Sequence, residues 1–273
     1  MNERIDVAVI GGGLSGLTAA ALLARQGRQV TVFEGSAHLG GRAQSPTMQG
    51  TPVNLGPHAL YLGGAAFEVL TSLGIDCPTA PPDLTGAQVL RDGRLFRLPS
   101  SPWSFLSTAL LTFSERLQLM KVLMSLISGC ADGGDGETLE AWLNRVTASR
   151  ATRQVLEMLF RLTTYSNAAG VVSAGAAVGL QKNVTYLHFA TLVEALAAQP
   201  GITRCTSMPV RSLSPSGRLE LGDGSVAEAN DVVLALPLQS AVKVFHDERL
   251  GAFAARAVPA KAACLDLVVS SSV

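Results

Sequence analysis

The first strong signal is IDVAVI (5–10), an apolar run with a single polar interruption. Continuous apolar, β-branched residues predict a strand buried on both faces. GGGLSG (11–16) follows, then LTAAALLARQG (17–27), rich in Ala and Leu, helical in propensity and closed by Gly27. RQVTVFE (28–34) predicts a second strand. Strand, glycine turn, helix and strand within about 30 residues make a βαβ unit with a right-handed crossover.

Further along, AAFEVLTSLGI (65–75) predicts a short helix, and AQVLRDGRLFRL (87–98) a hairpin turning at Asp92-Gly93. Residues 103 to 163 read as mostly helical, interrupted by CADGGDGE (130–137) as a flexible loop. VVSAGAAVGLQ (171–181) is rich in small residues and ambiguous, while FATLVEALAAQ (189–199) is helical up to Pro200-Gly201. The pattern then turns to β: residues 204–237 predict two or three strands, with turns at Ser216-Gly217 and Asp223-Gly224. DVVLALP (231–237) reads as a second doubly buried strand, and AACLDLVVSSSV (262–273) as the opening of another.

With 273 residues, 48% hydrophobic and only 15% charged, the chain is expected to be globular over most of its length. Lys+Arg and Asp+Glu both number 21, and no basic stripe stands out, so nucleic acid is not an expected partner. Cys77, Cys130, Cys205 and Cys264 lie far apart, without metal spacing, and are expected to be reduced, buried thiols in a cytoplasmic protein. The histidines do not cluster either, so no metal site is predicted. No stretch has the roughly 20 apolar residues of a spanning helix. LPSSPWSFLSTALLTFS (98–114) is uncharged but broken by Pro and Ser, leaving peripheral membrane contact open.

Gly11, Gly13 and Gly16 have the spacing of a dinucleotide-binding turn. The first glycine permits the tight turn, the second admits a pyrophosphate, and the third lets helix and strand pack closely. The N–H groups of residues 13 to 16, Leu14 and Ser15 included, would face the phosphates from a helix N-terminus. Glu34 lies 18 residues beyond Gly16, at the end of the second strand, where an acid accepts hydrogen bonds from the adenosine ribose. A carboxylate there repels a 2′-phosphate, which disfavours NADP.

LGGR (39–42) then adds a second glycine pair, Gly40 and Gly41, with Arg42. On the glycine fingerprint, the ribose acid and GGR, the sequence resembles the FAD-dependent superfamily of flavin amine oxidases, phytoene desaturases and protoporphyrinogen oxidases. VNLGPHALYLGG (53–64) resembles the segment that passes the flavin side of the cofactor, and within the superfamily it is most similar to bacterial phytoene-desaturase-type proteins. The resemblance implies an FAD site built from Gly11, Gly13, Leu14, Ser15, Gly16, Glu34, Gly35, Gly40, Gly41, Arg42, Gly56, Pro57 and His58. It adds Val210, whose backbone would meet the adenine. It also implies hydride transfer from a C–H or C–N bond of an apolar or amine substrate to the flavin, chemistry that needs no dedicated acid–base pair. No catalytic residue is assigned. His58 is a flavin neighbour or a structural histidine, and Tyr61, Tyr165 and Tyr186 line a pocket or pack in the core.

The expected fold is α/β: a doubly wound, Rossmann-like FAD-binding domain (1–84 and 200–243) with an inserted α+β substrate domain (85–199 and 244–273, incomplete). Members usually end with a second flavin-contacting segment carrying a Gly-Asp pair, and have Gly-Gly before the helix matching FATLVEAL; neither is found here. The alternatives are therefore a truncated, non-catalytic dinucleotide-binding remnant and, with LGGR against it, an NAD-dependent dehydrogenase. Oligomeric state is left open.

Overall fold

The computed structural model describes residues 4–53, 55–56, 59–62, 64–76, 79–80, 86–91, 93–98, 102–134, 136–181, 184–187 and 189–259. The expected βαβ unit forms: β1 (Ile5–Ile10), α1 (Leu14–Arg25) and β2 (Val30–Phe33). α1 stops where Gly27 takes φ +85°, a left-handed value that glycine adopts without a Cβ penalty. A short 3-10 turn at Gly41–Ala43 leads to β3 (Thr47–Met48), β4 (Thr51–Pro52), β5 (Ala59–Tyr61), α2 (Ala65–Ser72) and β6 (Thr79–Ala80). The hairpin β7 (Gln88–Arg91) and β8 (Arg94–Arg97) opens a helical insert. It holds α3 (Pro102–Ser107), α4 (Phe113–Ile127), α5 (Leu139–Val146), α6 (Arg150–Thr164) and α7 (Ala174–Gly179). β9 (Val184–Leu187) and α8 (Phe189–Ala197) lead back to β10 (Ile202–Cys205), β11 (Val210–Leu213), β12 (Arg218–Leu221) and β13 (Val226–Leu234). α9 (Leu238–Val244) and α10 (Glu248–Arg256) follow.

The main sheet runs β10-β2-β1-β13-β12-β11. β10, β2, β1 and the second half of β13 are parallel, so strands 224 residues apart in sequence lie side by side, with Ile5 opposite Ala229 and Ile10 opposite Leu234. Successive side chains of β1 point to opposite faces. Val7 and Val9 pack with Leu17, Ala20 and Ala21 of α1 and with Leu192 and Leu196 of α8. Ala8 and Ile10 pack with Val210, Leu219, Leu221 and Val244 on the other face. Thus α8, which follows the insert in sequence, covers the same face of the sheet as α1. The insert has its own core, with Trp142 and Phe160 edge to face at 5.5 Å. β9 pairs with both β5 and β6 in a small third sheet.

Several expectations change. Residues 202–234 hold four strands rather than two or three. β10 escaped notice because an edge strand of four residues, with Thr203 and Arg204 exposed, shows no apolar run. β13 is not doubly buried at 231–235. Its first half pairs antiparallel with β12 and its second runs beside β1, so Val232, Val233 and Leu234 lie at the margins of two cores and are half-buried. The loop before α5 is tied down: Trp142 Nε1 and Arg145 Nη2 both donate to the Asp132 carbonyl, at 2.8 and 3.2 Å. VVSAGAAVGLQ resolves into α7, and Cys130 is exposed just beyond the Gly129 stop of α4, not buried.

Candidate cofactor site

The glycine loop joins β1 to α1, and each glycine meets a different demand. Gly11 has φ +110°, and a Cβ there would sit 2.5 Å from the Ala235 carbonyl oxygen at the end of β13. A Cβ on Gly16 would sit 1.9 Å from the Gly11 carbonyl oxygen, so the first turn of α1 packs directly on the loop. The protein itself therefore accounts for both. Gly13 differs. Its backbone is extended (φ −75°, ψ 177°), and a Cβ would find its nearest atom, the Gly40 carbonyl oxygen, 4.0 Å away.

Gly13 is also the N-cap of α1, with no side-chain cap hydrogen bond and no acid in the first turn. The first N–H groups of a helix have no partners inside the helix, and its dipole favours an anion there. Leu14 is half-buried against the core and Ser15 is exposed, so the helix end is open to solvent.

The second glycine pair is fastened to the first. Gly40 N–H donates to the Gly12 carbonyl at 2.8 Å, and Gly13 and Gly40 form a parallel bridge. Gly40 and Gly41 both have positive φ, +104° and +56°, and a Cβ on Gly41 would press on the Gly13 Cα at 3.3 Å. Arg42 is exposed and forms no ion pair among the described residues. Gly56 comes in against this turn, where a Cβ would lie 2.9 Å from the Arg42 carbonyl oxygen.

Glu34 ends β2 facing the loop. Its Oε2 accepts from Gly12 N–H at 2.7 Å and its Oε1 from Ser36 N–H at 2.8 Å. Each carboxylate oxygen keeps a second lone pair for a ligand hydroxyl. Ser207 and Met208 donate N–H bonds to the carbonyls of Ser36 and Glu34, both at 2.8 Å, and Gly35 lies against Pro209. Val210, buried at the start of β11, thereby comes to the side of Glu34 and Gly35. The fold thus gathers every described candidate from Gly11 to Gly56, with Val210, at one end of the parallel strands. Open α/β sheets bind ligands at that end. Pro57 and His58 lie outside the described residues.

Sequence reasoning missed Gly12, Ser36 and Ala235 as parts of this wall. Gly12 carried a signal in being the middle of three consecutive glycines; the other two are placed by strand neighbours distant in sequence. Tyr61 Oη donates to the Thr163 carbonyl at 3.0 Å, a tie from β5 to α6, and Tyr165 caps α6 in a left-handed conformation (φ 54°).

The chain matches the family described as flavin containing amine oxidoreductase over residues 14–261. It belongs to that family. A Mycobacterium tuberculosis protein named as a flavin-containing monoamine oxidase, AofH, is 28% identical over 277 residues, covering 90% of this chain and 60% of its own length. A 4,4'-diapophytoene desaturase from Staphylococcus aureus is 38% identical over 70 residues, 26% of this chain and 14% of that protein. Among solved structures, putrescine oxidase superposes with a TM-score of 0.68 at 18% identity, over 93% of this chain and 63% of its own. An oxidoreductase from Methanosarcina mazei gives 0.69 at 16%, over 92% and 65%. These structures share the FAD-binding amine oxidase fold, and the family cofactor is FAD. The chain spans about 60% of the length of the AofH relative.

The residues present fit such a group: an uncapped helix N-terminus, a glycine whose Cβ direction is open, and an exposed arginine lie together.

Proposed function

We propose that the chain is an FAD-dependent oxidoreductase that takes a hydride from a C–H or C–N bond of an apolar or amine substrate. The observation that carries this is Gly13, a glycine that neither backbone strain nor protein contact requires, at the uncapped start of α1. Gly11, Gly13, Leu14, Ser15 and Gly16 would hold the pyrophosphate by backbone N–H groups and the helix dipole. Arg42 would supply a fixed positive charge beside it. Glu34 would accept from the ribose, with Gly35 and the Val210 backbone toward the adenine. Gly40 and Gly41 let the second turn approach, and Gly56, Pro57 and His58 carry the chain along the flavin side. Bound FAD supplies the hydride acceptor. What the chain adds is orientation and exclusion of water, with the cofactor unit at 1–84 and 200–243 and a substrate unit at 85–199 and 244–273. An apolar substrate of this kind fits peripheral contact with a membrane.

The purified protein is expected to be yellow, with flavin absorbance released on denaturation. Gly13→Val fills the open direction, so flavin occupancy should fall by orders of magnitude while the apo-protein melts within a few degrees of the parent. Full flavin occupancy in that variant overturns the placement. Flavin that binds but is reduced by no amine or polyene would remove the oxidoreductase and leave a dinucleotide-binding protein.

A further inference from the structure

Helices α1, α2 and α4 are each followed by a glycine in the left-handed region, Gly27, Gly74 and Gly129. α6 stops differently. Its last position is Tyr165, with φ 54° and ψ 24°. A residue with a Cβ is strained there, which is why glycine dominates such helix ends. The other two described non-glycine residues with positive φ, Gln49 and Ser207, lie in connections between strands. Core packing of the ring does not dictate the turn either, since Tyr165 keeps 41% of its surface exposed. Strain of this kind persists where the surroundings over-determine the backbone, and it gathers at ligand clamps and active sites.

The backbone around Tyr165 is over-determined in this sense. Thr164 Oγ1 donates to the Phe160 carbonyl at 2.7 Å and accepts from Ser166 N–H at 3.3 Å, so it pins the chain on both sides of the turn. Thr163 is held from outside the helix. Tyr61 Oη donates to its carbonyl at 3.0 Å, and Gln181 Nε2, just past α7, donates to its Oγ1 at 2.6 Å. The last turn of α6 cannot unwind to relax Tyr165 without giving up these bonds.

The bond from Tyr61 also fixes where α6 ends. β5 continues the segment that starts at Gly56, against the Arg42 carbonyl, and it pairs with β9, the strand by which the chain leaves the insert. The end of α6 thus lies where the insert meets the segment that the proposed site runs along the flavin. We propose that Tyr165 is a specificity-determining residue: its ring stands on the insert's side of the approach to the flavin and screens substrates by bulk. This rests on the oxidoreductase reading above. Tyrosine suits the role because its ring is a broad, rigid face with a polar tip. Glycine or asparagine would stop α6 with less strain, but would leave the approach unscreened.

The test compares the FAD-loaded full chain with Tyr165→Asn, which removes the ring but tolerates the left-handed turn, and Tyr165→Phe, which keeps the ring. Fluorescence of the bound flavin is quenched with iodide, a small ion, and with N-acetyltryptophanamide, whose indole is bulky. In the parent, iodide should quench and the indole much less. In Tyr165→Asn, quenching by the indole should rise severalfold while quenching by iodide changes little. Tyr165→Phe should match the parent. The apo-form of Tyr165→Asn should melt at or slightly above the parent's temperature, because the strain is released. An unchanged ratio of indole to iodide quenching in Tyr165→Asn overturns the proposal. So does an apo-form of that variant that melts well below the parent, since the ring would then be a prop for the fold. A parent that takes up no FAD sinks the oxidoreductase reading and the role of Tyr165 with it, whereas flavin uptake without screening sinks the role of Tyr165 alone.

Discussion

Four helices of the insert, α4 to α7, close their own N-termini, and the helix after the glycine loop does not. Thr138 accepts from Ala141 N–H at the start of α5, Ser149 from Thr152 N–H at α6, and Ser173 from Ala176 N–H at α7. At α4, Glu115 reaches back to the Thr112 N–H. α1 instead begins at Gly13, with neither a capping side chain nor an acid. A cap contributes about 1 kcal/mol, and α1, at the centre of the parallel sheet, forgoes it. Helices α4 to α7 satisfy first-turn N–H groups with their own side chains; α1 leaves its first N–H groups to solvent or a ligand. The same contrast runs through the glycine loop, where the fold requires glycine at 11 and 16 and no protein contact requires it at 13.

After the loss of flavin expected for Gly13→Val, the next largest effect should come from Gly16→Ala. Its Cβ would overlap the Gly11 carbonyl oxygen, so the helix must lift off the loop at a cost of about 3 kcal/mol. Gly13→Ala, three residues earlier, should leave apo stability within about 0.5 kcal/mol and still weaken flavin. Urea unfolding of the two apo-proteins separates them. Equal destabilisation would mean that Gly13, too, is there for the fold.

From the insert side, Ser149→Ala removes the α6 cap and the hydroxyl that donates to Glu115. It should cost about 1 kcal/mol in the same measurement, with flavin occupancy unchanged. A matching loss of flavin would show that the insert and the cofactor site are coupled, and the contrast between capped and uncapped helices would no longer divide structure from binding.

The cofactor end was legible because its signals are local. IDVAVI, the three glycine positions, Glu34 and LGGR are each short, and their spacing follows from backbone geometry near a phosphate. What stayed hidden depends on neighbours distant in sequence. Nothing near Ser207 announces its bond to Ser36, and β10 shows itself only by lying beside β2. β13 looked like a copy of β1 by composition, yet Val7 to Ile10 of β1 are buried while Val232 to Leu234 of β13 are half-buried at the margins of two cores. The helicity of residues 103 to 163 was legible, but which face of α4 packs inward required Trp142, Leu143 and Phe160 to be in place.

The smallest effect lies at the opposite end of the strands from the glycine loop, where the parallel sheet is pinned by charge rather than left open for it. Arg28, just before β2, makes a forked contact with Asp6 of β1, its Nε and Nη2 at 2.9 and 2.8 Å, and Nη2 also meets Asp231 of β13 at 2.6 Å. One guanidinium thus ties three parallel strands. The bond from Arg28, then that from Gln29 N–H, holds the Asp6 carboxyl below its ordinary value of 3.8. A carboxyl with a depressed folded pKa binds its proton more weakly when folded than when unfolded. The stabilisation is therefore present above the ordinary value and lost as pH falls through the lower, folded one. Arg28 stays charged throughout, its own pKa pushed further up by the two acids. Urea midpoints measured from pH 7 downward should hold steady to about pH 4 and then decline. In Asp6→Asn the decline should be shallower by the share of this one group. The clamp is partly exposed, so the change should be small and should shrink in salt. An identical acid slope in parent and variant would mean that Asp6 is equally at home in the unfolded chain, and that this end of the sheet holds its register by packing alone.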